Sequence, residues 1–586
     1  MRIVSLSLTL ALMTLLSSGC ASKYFDHRAT LDRDHLGAPG DGVVVARIIK
    51  TTANNLPFDT LILTPENYQA SKNIKLIEIS ARKSYTPNTT VFAAPIPAGN
   101  YSLRSIYYFY SNDRYYWSES IPATANFGTF SVKPGKVTDL GNLIYYHKPD
   151  GEKYFKLLAR AENQNPGEVL KKYYPFYQYK TEAVNTWNED GFGEDRQSRF
   201  ISMVQNPTFY NKIYRAPNND LYFLGKLGAI IIRRRSGEWD IDAVDTNLDL
   251  NAIIRTKRGD LLTGGVEGRL FWKKNGSDWE DISLDHHYVI HELIESGNDR
   301  VDVLASKGDK LMVFRGNITG SKPSWSKLTT YHARYYDWER AATKTKEDKK
   351  KKKRRRSGTK PQIITGARMS RFMGKDVLVI VTRSRRSPVI SSAKLRYYQI
   401  KRKSWQAKEY DFPGRISAIV EAGAASIGIE EPSFFSFSDK SSFKRFDKKS
   451  RSWKKMGDTL LSCSGTPSAR KTCKDEYKTY PARRTRFDFM RIPWFKNELN
   501  ALAIARYPNS GSTSEEDANK LTIIRTKDGG KTWIDTGNKL PRPYCISVVS
   551  ESKDSFLISC SGATGDFFES KDEGKTWTHV RQHEDF

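Results

Sequence analysis

Toward its C-terminal end the chain carries the same eight-residue pattern twice. Thr526-Lys527-Asp528-Gly529-Gly530-Lys531-Thr532-Trp533 and Ser570-Lys571-Asp572-Glu573-Gly574-Lys575-Thr576-Trp577 both read Ser/Thr-x-Asp-x-Gly-x-Thr-Trp. The Asp carboxylate can accept backbone N–H groups of its own turn, and the Gly two residues on admits positive φ. The closing Trp then buries a large apolar surface between layers. Tryptophan extends this rhythm upstream. Trp239, Trp279, Trp325, Trp405, Trp453, Trp533 and Trp577 close strand-like units at intervals of 40, 46, 80, 48, 80 and 44 residues. Four of these intervals suit a four-stranded unit. Each interval of 80 contains an insertion, Lys344 to Arg356 in the first, and the Cys463–Cys473 loop with Ser510 to Lys520 in the second. Subtracting the insertions leaves about one unit each, so seven units fit, with eight as the alternative if Trp494 marks another.

The two octapeptides resemble the Asp-box, or BNR repeat, of sialidases, sortilin-type receptors and photosystem II stability factors of the cyanobacterial type. That resemblance implies a β-propeller over residues 201–586. Thr526, Asp528, Gly530 and Trp533, with Ser570, Asp572, Gly574 and Trp577, would then join outer strands of a blade in a structural role. Arg235-Ser236-Gly237-Glu238-Trp239 and Asn275-Gly276-Ser277-Asp278-Trp279 read as degenerate copies that keep the turn and the Trp.

The N-terminus sets the compartment. Met1-Arg2 is followed by a mostly apolar run from Ile3 to Leu16, too short to span a bilayer as a permanent helix, which reads as an export signal over residues 1–19. Leu16-Ser17-Ser18-Gly19-Cys20 resembles a bacterial lipobox, which implies acylation of Cys20, palmitate among the chains, and two or more lipid chains as a stable anchor. By the same resemblance Ala21 points to the outer membrane. Residues 20–40 read as a tether. The remaining cysteines, Cys463, Cys473, Cys545 and Cys560, form an even set in an oxidising compartment, so pairing as Cys463–Cys473 and Cys545–Cys560 is expected. A zinc site is the runner-up, without CxxC spacing to support it.

Between these ends, residues 41–148 show short strand-like runs such as 42–49, 61–63, 74–79, 101–110 and 140–146, punctuated by Gly and Pro. They predict an all-β sandwich. Tyr107, Tyr108, Tyr110, Tyr115, Tyr116 and Trp117 crowd one stretch, with packing favoured over carbohydrate stacking. Residues 149–200 read as a partly helical connector, its helix capped by Asn165 with Pro166 at the first helical position.

Lysine and arginine exceed the acids, 95 to 66, giving a net charge of +29 that favours polyanionic neighbours. The run Lys349-Lys350-Lys351-Lys352-Lys353-Arg354-Arg355-Arg356 is the sharpest such feature, a candidate for anionic lipid or lipopolysaccharide and equally a solvated loop. Export removes nucleic acid as a partner. Phe489-Met490-Arg491-Ile492-Pro493 is similar to the sialidase arginine motif, so Arg491 is the one catalytic candidate, under an alternative reading as an exported sialidase-type glycoside hydrolase. In that family the motif precedes the first Asp-box near the start of the catalytic domain, whereas here five units come before it. His286, His287 and His291-Glu292 form the histidine cluster; in a strand adjacent histidines would face opposite sides, so no metal and no cofactor are expected. The combined reading is a lipid-anchored, non-catalytic binding or assembly scaffold whose partner is an envelope protein or glycan.

Overall fold

The computed structural model describes residues 25–50, 58–69, 76–82, 89–111, 116–123, 127–150, 153–161, 166–178, 184–188, 210, 212–225, 227–297, 299–319, 323–332, 362–372, 375–384, 394–401, 404–409, 416–422, 425–430, 442–447, 450, 452–457, 459–462, 483–489, 493–497, 499–506, 521–542, 547–551, 556–559 and 566–581. The chain forms two compact units, residues 1–203 and 204–586. Both are built from strands, and one α-helix occurs among the described residues.

The strands of the first unit are β1 (Phe25–Ala29), β2 (Asp41–Lys50), β3 (Thr60–Pro65), β4 (Leu76–Arg82), β5 (Thr89–Pro97), β6 (Gly99–Ser111), β7 (Tyr116–Pro122), β8 (Thr129–Val132), β9 (Val137–Asp150), β10 (Lys153–Ala161) and β11 (Val184–Asn185). They join in the order β10-β9-β2-β5-β4-β3-β6-β7, with β1 on β4, β11 on β9 and β8 on β6. The hinge of this arrangement is β4. It pairs with β3 from Thr60↔Ser80 to Leu63↔Ile77, then with β5 at Ala81↔Phe92 and Arg82↔Val91. The sheet can therefore fold over itself. Val44, Ala46 and Ile48 of β2 and Phe92, Ala94 and Ile96 of β5 meet Leu61, Leu63, Leu103 and Ile106 of β3 and β6 in one core.

The opposite face of β2 and β5 is also covered. Val43, Val45, Val91 and Ala93 pack against Val169, Leu170 and Tyr174 of and beside the helix α1 (Glu168–Tyr173). Burial on both faces explains why β2 reads as a continuous apolar run rather than an alternation. The described part of residues 149–200 thus packs into the first unit: β10 pairs with β9 from Lys153↔Asp150 to Ala161↔Asn142, and the Trp187 indole packs on Phe127 and Phe130. The helix departs from the expected cap. It starts at Glu168 with Gly167 at the N-cap, φ 84°, and no side-chain cap. The cause is the buried Asp139 carboxylate, which accepts Gly167 N–H at 2.5 Å and Gly141 N–H at 2.8 Å. Only a residue tolerant of positive φ can present its N–H there.

The second unit contains seven sheets among its described residues, spanning 212–243, 250–281, 289–332, 362–409, 416–455, 459–539 and 547–581. Six are four-stranded antiparallel meanders. The sixth has seven strands, because the hairpin Thr459–Ser462 and Arg483–Arg486 adds to its outer edge through the parallel pairs Leu460↔Trp533 and Leu461↔Ile534. Trp494–Phe495 pairs with Ala501–Arg506 in that same sheet. Each of the seven tryptophans lies at the start of the last strand of a sheet: Trp239, Trp279 and Trp533 open theirs, Trp325 and Trp453 are second, and Trp405 and Trp577 immediately precede.

Face-to-face packing links the sheets in order. Ile230 and Ile232 share a buried core with Ile253 and Phe271, Trp272 with Val303, Val313 with Leu378, Val379 with Phe446, Phe443 with Phe495, and Leu540 with Phe568. The last sheet then packs on the first. Phe567 stands 5.1 Å from Phe223 and 4.6 Å from Trp239, ring centre to ring centre, and Glu569 pairs with Arg233 at 3.1 Å. This closed ring is the arrangement of a β-propeller, which protects strand edges that an open array would expose.

Candidate functional site

Both octapeptides form the same polar turn. Asp528 Oδ1 accepts Lys531 N–H at 3.0 Å and Thr532 N–H at 2.9 Å, while Thr526 Oγ1 donates to Oδ1 at 2.8 Å and Thr532 Oγ1 to Oδ2 at 2.5 Å. In the second copy Asp572 accepts Thr576 N–H at 2.9 Å, Thr576 Oγ1 at 2.6 Å and Ser570 Oγ at 2.8 Å. Gly530 and Gly574 take φ of 87° and 84°, and their N–H groups donate to Thr526 and Ser570 hydroxyls at 3.0 and 2.7 Å. The carboxylates are consumed by their own turns. Burial raises the Asp528 pKa, but the bonds from Thr532, Thr526 and Lys531 outweigh it and leave the carboxyl below its ordinary value. The Thr576 hydroxyl, then its N–H, hold Asp572 down at about 2.

The closing tryptophans tie neighbouring sheets together. Trp279 Nε1 donates to Asp242 of the preceding sheet at 3.2 Å, and Trp577 Nε1 to Lys539 O at 3.0 Å. Trp405 Nε1 donates at 2.8 Å to Asp302, a fully buried carboxylate that also takes a bidentate pair from Arg315 at 2.7 and 2.8 Å.

A second repeated carboxylate was not anticipated. Asp220 and Asp260 are buried at the head of the second strand of sheets one and two. Asp220 accepts Arg235 N–H at 2.9 Å and Asp260 accepts Asn275 N–H at 3.1 Å, each clamping the turn before the Trp of its own sheet. The signal was present: Asp-Leu, a Gly-x-x-Gly and a Trp recur in step over 220–239 and 260–279. Leu227-Gly228 and Glu267-Gly268 both adopt positive φ there. The second Gly of each is explained by contact, since a Cβ on Gly228 would lie 2.1 Å from Val244 O and one on Gly268 2.3 Å from Asp285 O.

The first strands of sheets one to four supply a polar inner surface. Lys212 Nζ of sheet one lies 3.9 Å from Glu292 Oε1 of sheet three. Those sheets are not neighbours in the ring, so this approach occurs on its inner side. The other Glu292 oxygen accepts Met369 N–H of sheet four, and Asn251 Nδ2 of sheet two donates to Ile290 O at 3.0 Å. Beside Glu292, His291 Nε2 lies 2.8 Å from Ser306 Oγ, and burial lowers its pKa to about 4. A carboxylate, an amine and an amide on the inner strands therefore tie the first four sheets to one another.

No protein-family model matches the sequence, and no curated protein matches it. Solved structures do. "YCF48 bound to D1 peptide" is similar at 10% identity over 59% of this chain and 92% of that one, TM-score 0.34. "Structure of Dos1 propeller" is similar at 10% identity over 66% and 89%, TM-score 0.32. "The crystal structure of BamB from Moraxella catarrhalis" is similar at 7% identity over 60% and 82%, TM-score 0.30.

The histidines differ from expectation. His286 and His287 lie in a turn, not a strand, so alternation does not apply, and their rings converge at 3.9 Å between centroids. Tyr108 packs edge-on against Phe58 in the first core. Cys20, Cys463, Cys473, Cys545, Cys560, Arg491 and Lys349 to Arg356 lie outside the described residues.

Proposed function

We propose that this chain is an envelope lipoprotein whose seven-bladed propeller of Asp-box type binds or scaffolds a partner, behind an N-terminal β-sandwich. The observation that carries the reading is the inner surface around Glu292, where the first strands of four sheets converge while both Asp-box carboxylates are spent on their own turns. Seven blades are supported by the packing of each sheet on the next and of the last on the first. The two-faced burial of β2 and β5 supports a sandwich. The lipobox-like segment supports an anchor at Cys20 with outer-membrane sorting, and the basic run supplies charge for anionic lipid or lipopolysaccharide. Disulfides Cys463–Cys473 and Cys545–Cys560 belong to the same exported reading. The partner is an envelope protein or glycan.

Cys20→Ala is expected to move the protein from the membrane to the soluble fraction. Retention after a high-salt wash would show that something other than acylation holds it.

The binding role is set against catalysis by one assay. The wild-type protein is expected to release no sialic acid from any linkage. Turnover that vanishes in Arg491→Ala with the fold intact would replace the scaffold with a sialidase-type hydrolase, since an arginine clamp acts through bidentate bonds to the sugar carboxylate.

A further inference from the structure

The turn between sheets two and three holds three metal-ligating side chains in succession. Asp285, His286 and His287 each offer a donor atom, and all of these lie within 4.8 Å of one another. Asp285 Oδ1 stands 2.6 Å from His287 Nδ1 and 3.6 Å from His286 Nδ1. The turn itself needs only the aspartate. Its Oδ1 accepts His287 N–H at 2.8 Å, and its carbonyl accepts Tyr288 N–H at 3.0 Å. The His287 ring also hydrogen-bonds that carboxylate, and the His286 ring lies on the same side of it.

The backbone under the cluster is fixed from below. Leu284 N–H donates to Gly268 O at 2.9 Å, and Gly268 N–H donates to Tyr288 O at 2.6 Å. The segment is thus fastened on both sides of the three residues, by a glycine that admits no side chain against Asp285 O. The His286 and His287 rings stand 3.9 Å apart, centroid to centroid, and neutral imidazole is the form that ligates metal. Side-chain exposures of 50%, 24% and 46% leave the cluster open to an ion and to water.

We propose that Asp285, His286 and His287 bind one divalent transition-metal ion, with zinc as the physiological class of cation. Two imidazoles and a carboxylate favour zinc, copper or nickel over calcium or magnesium, which take oxygen ligands. Ligands about 2.0–2.2 Å from a zinc ion stand roughly 3–3.5 Å apart, so small side-chain rotations close the set. Water completes the shell, as in sites with three protein ligands.

The test uses the untagged full-length protein with its thiols alkylated, in competition with a chromophoric chelator for zinc. Wild type is expected to withdraw one equivalent. His286→Ala/His287→Ala should weaken binding at least tenfold with an unchanged Tm in the absence of metal, and Asp285→Asn should also weaken it. Added zinc should raise the wild-type Tm and leave the double variant unmoved. Cobalt in place of zinc should give a visible absorption band that the double variant lacks. Equal zinc affinity in wild type and the double variant, or no zinc withdrawn by either, would overturn the proposal.

Discussion

Replacing Phe567 by Ala is expected to destabilise the second unit by about 3–5 kcal/mol, the range for removing a buried Phe side chain. Phe567 is fully buried and lies 5.1 Å from Phe223, 4.6 Å from Trp239 and 5.9 Å from Tyr210. Those partners lie at the opening of the second unit, 328 to 357 residues earlier in the sequence. A cavity here cannot collapse without parting the last sheet from the first. Denaturant unfolding, read on the second unit, measures the effect. The half-exposed Leu328 provides the control, since Leu328→Ala should change stability by no more than about 0.5 kcal/mol. A Phe567→Ala loss under about 1 kcal/mol would mean that the first and last sheets do not close on each other.

Asp528→Ala carries the second large effect, about 2–3 kcal/mol at neutral pH. The substitution leaves Lys531 and Thr532 N–H groups and two hydroxyls without their carboxylate acceptor. Partial exposure lets water recover some of that loss, which keeps the figure below the sum of four bonds. The pH dependence has a defined sign. The folded carboxyl is held below 3.8, so its contribution is complete above that value and fades as pH falls through the lower folded value. Asp572, at about 2, follows the same rule. The gap in stability between wild type and Asp528→Ala should therefore be constant from pH 7 to about 5 and narrow as pH falls below about 4. A gap that persists unchanged at low pH would show that the carboxylate does not hold the turn.

The local units are legible in residue order alone. A Ser/Thr, an Asp, a Gly and a Trp at fixed spacing suffice to make each turn, because every bond in it closes within five residues. The Trp rhythm likewise marked the start of the last strand of all seven sheets, since a turn followed by a large apolar residue is a local signal. The same reasoning reached β2, β3, β4, β6 and β9. It passed over β5, whose Pro95 and Pro97 argue against a central strand, although the strand lies between β2 and β4 with both faces covered.

Contacts between distant residues are legible only in the folded chain. The Asp302–Trp405 bond joins residues 103 apart, and Asp139 sets the helix start 28 residues later. The closure at Phe567 and the Lys212–Glu292 approach exist only once the ring is formed. The convergence of His286 and His287 required knowing that they occupy a turn, where the strand's alternation fails. Short-range hydrogen bonding is written in residue order, whereas the pairing of buried carboxylates and aromatic rings depends on which sheets become neighbours.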